Sequence, residues 1–159
     1  MKTCFDITKL ILHKPNFLSN EECDLLINFY ENNKKQRVRE QCPHAETGIE
    51  TQSTFDVIDI PYGTKENQLV SSSIEKMINM WQDHTDKFKM FHKFKRKSML
   101  YSHKLRLMKY EEGAKIHPHT DHDPYVYGSC TFNLNDNYEG GDFVFFRGKK
   151  KIKLNKGDA

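Results

Sequence analysis

The sequence predicts an α+β fold in which helices pack on a sheet or jelly roll. Two observations carry this. Two amphipathic segments with helical spacing occupy the first half of the chain, and the apolar period switches to two from about Ser98 onward. A third is the rhythm of the second half, where short alternating runs are separated by Gly- and Asn-rich turn clusters, as in an all-β layer.

The first helix is read from "FLSNEECDLLINFYENN". Ser19 followed three residues later by Glu22 is a capping box, each side chain satisfying a backbone donor that the helix start leaves unpaired. Cys23, Leu26, Ile27 and Tyr30 then form one apolar stripe, and the helix is expected to end near Asn32 and Asn33. Lys34 to Thr54 is polar and reads as a loop, and "FDVIDI" (Phe55 to Ile60) as a short strand stopped by Pro61. A second helix is expected over "SSSIEKMINMWQDHTDKF". Ser72 and Glu75 repeat the capping box, and Ile74, Met77, Ile78 and Trp81 make a stripe whose role is core packing.

Strands follow. "KLRLMKY" places Leu105 and Leu107 on one face and Arg106, Met108 and Tyr110 on the other. "EEGA" is a turn. "CTFNLN" alternates again, "NDNYEGG" is a turn cluster, and "DFVFF", "RGKK" and "KIKL" read as strand, turn and strand running into "NKGD". The chain is expected to form one domain, 1–159, with helical support over 16–97 and strands over 98–159.

Bulk properties bound the function. The chain has 159 residues, 36% hydrophobic, 30% charged and 12% aromatic, a profile too rich in Phe, Tyr and Ile for disorder. A net charge of +3 gives no overall argument for nucleic acid. The run "KFKMFHKFKRK" (Lys87 to Lys97) interleaves Phe with Lys and Arg, which suits an anionic partner or a solvated face. Cys4, Cys23, Cys42 and Cys130 are scattered, with no C-x-x-C. The first residues lack a sustained apolar run and nothing reaches the length of a membrane span, so a cytoplasmic setting and no membrane partner are expected.

The densest chemistry lies in "HPHTDHD", His117 to Asp123, which holds three histidines and two aspartates. On a strand, residues two apart face the same side, so His119 and Asp121 can aim an imidazole and a carboxylate at one metal ion. His117 shares their parity and His122 points away. One nitrogen and one hard oxygen donor suit iron(II), where a 2-His-1-carboxylate triad leaves positions open for substrates. The same residues also read as H-x-H-x-D-H, the zinc signature of the metallo-β-lactamase fold. That fold needs a hydrophobic strand and acidic turn before the motif and a helix after it. "LRLMKYEEGAKI" and "PYVYGSCTFNLN" supply neither, which leaves the zinc hydrolase as a minority alternative.

"LRLMKYEEGAKIHPHTD", followed by "CTFNLNDNYEGGDFVFF" and "KLNKGDA", resembles the prolyl 4-hydroxylase-like branch of the iron(II)- and 2-oxoglutarate-dependent dioxygenases. The shared order is a strand ending in Tyr, a Gly turn, H-x-D, a strand ending in L-N-D, a Gly-Gly pair and a K-G-D turn. "NFLSNEECDLLINFYE" resembles the family's N-terminal helix. The likeness spans about Asn16 to Ala159, weakly between Lys34 and Tyr101.

The resemblance implies a double-stranded β-helix, or jelly roll, with His119 and Asp121 as iron ligands. Tyr110, or else a core tyrosine at that position, would face the 2-oxoglutarate pocket. Thr131 would line it, and Asn133 stands where many relatives place a tyrosine that holds the cosubstrate. Gly140 and Gly141 would only turn the chain. The family's second iron histidine and the Arg or Lys that pairs with 2-oxoglutarate follow the K-G-D turn. His13, His44, His84, His92 and His103 all precede the motif, at positions where the family has no ligand. The chain is therefore expected to be a truncated copy of a longer protein, with C-terminal strands missing. The implied activity is hydroxylation of a C–H bond of a peptidyl proline or another protein residue, with ascorbate as a possible supporting reductant. A free amino acid is a possible small-molecule substrate. Alternatives are a nucleic-acid demethylase of the same superfamily, because "YEEGAKI" resembles a turn of that branch, and a non-catalytic binding module on the same scaffold.

Overall fold

Helix α1, Asn20–Asn32, begins as its sequence requires. The Ser19 amide donates to Glu22 Oε2 at 2.8 Å and the Glu22 amide to Ser19 Oγ at 3.2 Å, closing the capping box in both directions. Cys23, Leu26 and Tyr30 are buried along the expected stripe, with Ile27 half-buried at its edge. Asn33 ends the helix, its side-chain amide donating to the Phe29 carbonyl at 2.8 Å. The chain is seen in a computed structural model that describes residues 5–41, 54–89, 104–120 and 128–159. The expected segments over 42–53 and 90–103, including most of the Lys87 to Lys97 run with His44, His92 and His103, lie outside these residues, as do Cys4, Asp121, His122 and Asp123.

The polar stretch after α1 is not wholly a loop. A 3-10 turn over Lys34–Gln36 leads into strand β1, Val38–Gln41, which pairs antiparallel with β2, Thr54–Asp59. β1 is an edge strand whose side chains are mostly exposed, so it carries no apolar alternation. Backbone pairing and charge hold it: Arg39 lies opposite Asp56 and donates to its Oδ1 at 2.9 Å, and Arg106 of β3 donates to Glu40 at 3.0 Å. β3, Arg106–Tyr110, pairs with the other side of β2, giving a three-stranded sheet in the order β1-β2-β3. The central β2 is buried on both faces through Phe55, Val57 and Ile58. Helices and strands thus alternate, with β1 and β2 preceding the second helix.

That helix, α2, runs Lys65–Asp86 and starts one and a half to two turns earlier than the Ser72–Glu75 pair suggests. Its cap is Thr64, whose Oγ1 accepts from the Asn67 amide at 3.1 Å and whose carbonyl accepts from Gln68 at 3.0 Å. Ser72 and Glu75 are interior helix residues. The buried face differs from the expected stripe. Val70, Ser73 and Met77 are buried, continued by Gln82 and Thr85, while Ile74, Ile78 and Trp81 are half-buried. The Thr85 hydroxyl is satisfied inside the helix by the Trp81 carbonyl at 2.9 Å. Among the described residues, no helix is long and apolar enough to cross a membrane.

The chain forms two compact units. One draws on Asp24–Ser71 and Ser102–Ser129 and holds the three-stranded sheet. The other draws on Met1–Cys23, Ser72–Tyr101 and Cys130–Ala159. Its sheet is the hairpin β4, Phe143–Phe145, with β5, Lys150–Ile152. The hairpin turns through the four residues Phe146–Lys149, with positive φ at Phe146, Arg147 and Gly148 (52°, 55° and 87°) and the Lys149 amide donating to the Phe146 carbonyl at 3.3 Å. "CTFNLN" does not form a ladder strand. It is tied at one residue, where the Asn133 amide donates to the Asp158 carbonyl at 2.9 Å and the Gly157 amide donates to the Asn133 carbonyl at 2.8 Å.

The N-K-G-D segment closes this unit. Asp158 is 1% exposed, and its carboxylate accepts from the Asn16 amide on one oxygen and from the Asn155 amide and His13 Nε2 on the other, all at 3.0 Å. Burial pushes this carboxyl up, but donation from Asn155, Asn16 and His13 outweighs it and holds the group below the usual aspartate range. The Gly157 carbonyl accepts from Phe17 and Leu18, and Lys14 exchanges both main-chain bonds with Ala159. Gly157 has φ +84°, and a β-carbon there would run into the Leu18 carbonyl, so only glycine fits. The fold is a mixed α+β arrangement of two helices and small antiparallel sheets.

Candidate metal centre

β3 delivers the chain to the H-x-D segment. Leu107 is its buried anchor, and Arg106, Met108, Lys109 and Tyr110 are exposed, Lys109 breaking the alternation by leaving Leu107's face for its ion pair with Glu31. Tyr110 stands opposite Phe55 in the register, and the two rings lie 5.3 Å apart at 36°. Its ring therefore rests on the buried Phe55 while 42% of the residue remains accessible. A turn follows, with Gly113 at φ +75° and the Ala114 amide donating to the Glu111 carbonyl at 3.0 Å.

The strand's charges are paired within the unit. Glu31 accepts from Arg37 at 2.8 Å and from Lys109 at 3.0 Å, and these two cations pull its carboxyl down to about 2. Arg37 also lies 4.0 Å from the centroid of the Tyr30 ring. Asp56 is held below the usual range by Arg39, which also reaches Glu111 at 2.6 Å. These pairs fix the exposed side of the sheet next to the segment that carries the histidines.

In that segment His117 is buried, Pro118 makes a bend, and His119 is exposed beyond it. Pro118 favours extended backbone at His117, and the bend folds the next imidazole back over it. His119 Nδ1 lies 2.7 Å from the His117 carbonyl oxygen. A carbonyl only accepts, so Nδ1 carries the proton and the neutral ring keeps its lone pair on Nε2. Histidines that ligate metals are commonly oriented in this way, the second nitrogen donating to a carbonyl or carboxylate. The tautomer of His119 therefore fits a metal ligand acting through Nε2. Asp121, its expected partner, lies outside the described residues, and among those described no three His, Cys, Asp or Glu side chains form a metal-holding group.

Tyr110 and His119 belong to the sheet unit, and Thr131 and Asn133 to the other. Thr131 is exposed on an irregular segment. The Asn133 amide is structural in its bonding: Nδ2 donates to the Asn135 carbonyl at 2.8 Å with the Leu154 and Asn155 carbonyls at 3.3 Å, and Oδ1 accepts from the Tyr138 hydroxyl at 3.0 Å. Gly140 and Gly141 adopt positive φ, as turn residues. Spacing alone does not disclose the carbonyl that latches His119. Its one signal in the sequence is Pro118, which sets the bend.

Comparison with models of protein families, with curated proteins and with solved structures finds no match to this chain.

Proposed function

We propose that the chain is an iron(II)- and 2-oxoglutarate-dependent dioxygenase of the prolyl 4-hydroxylase-like branch, its small antiparallel sheets being parts of a double-stranded β-helix. The observation that carries this reading is His119 held by the His117 carbonyl, in a motif whose spacing supplies Asp121 as the second donor.

His119 would bind iron through Nε2 and Asp121 through its carboxylate. Iron(II) with 2-oxoglutarate would supply the oxidising chemistry: dioxygen gives one oxygen atom to the substrate C–H, forming C–OH, and the other to 2-oxoglutarate, which leaves as succinate and carbon dioxide. The His117 carbonyl would orient the ring with Nε2 as its donor atom toward the metal. Tyr110, its ring seated against Phe55 and 42% of the residue accessible, is the proposed contact for a cosubstrate carboxylate. Thr131 and Asn133 are the other cosubstrate candidates, and the Asn133 side-chain amide is already bonded to the Asn135 carbonyl and the Tyr138 hydroxyl. A peptidyl proline or another protein residue is the proposed substrate, in the cytoplasm, with ascorbate as supporting reductant.

The test is succinate formation from 2-oxoglutarate with iron(II), alongside binding of cobalt(II) followed by its absorption spectrum. Turnover and the cobalt spectrum are both expected to disappear in His119→Ala and Asp121→Ala. Zinc-dependent hydrolysis without any response to 2-oxoglutarate would refute the reading.

A further inference from the structure

The charge of this chain is unevenly placed. Residues 142–156 carry six lysines and arginines and one aspartate, a local +5, whereas the whole chain carries only +3. The rest of the chain is therefore net negative, and the β4–β5 hairpin is a concentrated cation on a near-neutral protein.

The same hairpin exposes aromatic rings. Phe143 is 37% and Phe146 36% accessible, and the Phe143 and Phe145 rings stack 6.1 Å apart at 20°. Phe145 pairs with Lys150 in the register, so rings and a lysine share one face of the ribbon. Arg147 stands at the hairpin tip and Lys153 just beyond β5, both exposed. A lipid surface takes up apolar side chains beneath a rim of charge. Here the rings come from β4 and the lysines from β5, so an extended strand laid along the ribbon meets rings on one side and cations on the other. Duplex bases present no open faces for such rings, and an acidic peptide has few.

We infer that the β4–β5 hairpin binds single-stranded nucleic acid, its lysines and Arg147 engaging phosphates while Phe143, Phe145 and Phe146 stack on bases. The inference is independent of iron, and its test is run in the presence of EDTA so that failure of the dioxygenase reading leaves it untouched.

The experiment is fluorescence anisotropy with labelled single-stranded RNA and DNA 12-mers of mixed sequence, against the same sequences as duplexes and against phosphatidylserine vesicles. With about four phosphate contacts, binding should weaken about 50-fold between 50 and 200 mM salt. Lys150→Gln with Lys153→Gln should weaken binding about tenfold at low salt and flatten that salt dependence. Phe146→Ala should weaken it by about tenfold with the salt dependence unchanged. Lys34→Gln with Lys35→Gln, exposed lysines on the other unit, should have no effect. The RNA and DNA arms distinguish the two sources of strand. Circular dichroism checks folding, and if Phe146→Ala unfolds the chain, the lysine pair decides alone. Absence of oligonucleotide binding, equal binding by the lysine variant, preference for duplex, or binding to vesicles alone would overturn the inference.

Discussion

Replacing Asp158 by asparagine keeps its shape and removes one acceptor atom from a site with no solvent to compensate. The two carboxylate oxygens divide their donors, Oδ1 receiving the Asn16 amide and Oδ2 the Asn155 amide and His13. Whichever way the new amide turns, one of these positions becomes a donor facing a donor. The cheaper orientation sets Nδ2 against the Asn16 N–H, which orphans one part-buried amide at a cost of about 1–3 kcal/mol. The two surviving bonds lose their charge assistance, about 0.5–1 kcal/mol each. The total, about 2–5 kcal/mol, corresponds to a fall in Tm of roughly 5–15 °C for a chain of this size. Thermal unfolding followed by circular dichroism measures it. A pH series sharpens the attribution. The folded-state pKa of Asp158 is depressed, so its contribution is complete above the unfolded value of about 3.9 and is lost as pH falls through the lower folded value. The gap between the two proteins should therefore be full at pH 7 and shrink below about pH 4. A variant within about 0.5 kcal/mol of the parent at pH 7, or a gap unchanged down to pH 3, would show that the carboxylate is not what holds this turn.

Two further outcomes follow from the backbone. Thr64→Ala should destabilise α2 by about 1 kcal/mol in urea unfolding, whereas Ser72→Ala, inside the helix, should change stability by no more than about 0.5 kcal/mol; equal effects would move the cap back to Ser72. Gly157→Ala combines a left-handed φ with a collision against the Leu18 carbonyl, so a loss of at least 1–2 kcal/mol is expected in the same assay, and a neutral result would refute that close approach.

Where local side chains decide local structure, the sequence was readable. The Ser19–Glu22 box and the α1 stripe each follow from a few neighbouring residues and are found where expected, and the turn read at "RGKK" is found one residue earlier, over Phe146–Lys149. β1 escaped because an edge strand held by cross-strand charge has no apolar period to read. The start of α2 escaped because a chance S-x-x-E inside the helix is a more familiar signal than the T-x-x-N that caps it. "CTFNLN" alternates convincingly, yet alternation gives a strand only when a partner lies alongside, and here pairing is confined to Asn133. At the candidate site, spacing identifies His119 but not the proton on its Nδ1, which depends on where a carbonyl two residues back is turned. Asp158, noticed only as the end of a K-G-D pattern, became intelligible as a buried acceptor once residues more than 140 positions away were set beside it.

That separation has a kinetic consequence. Closing a loop of this length costs about 4 kcal/mol in chain entropy before its first bond is made. The main-chain bonds of Lys14, Phe17 and Leu18 to Gly157 and Ala159 therefore wait until that segment is in place. During synthesis at about 5–20 residues per second, the early segment waits roughly 7–30 s with the apolar side chains of Phe17 and Leu18 uncovered. Helix α1 and the β4–β5 hairpin depend on near neighbours and can form at once. The bonds at Asp158 join residues more than 140 positions apart, and contacts of such long range form slowly, which leaves apolar side chains open to aggregation in the meantime.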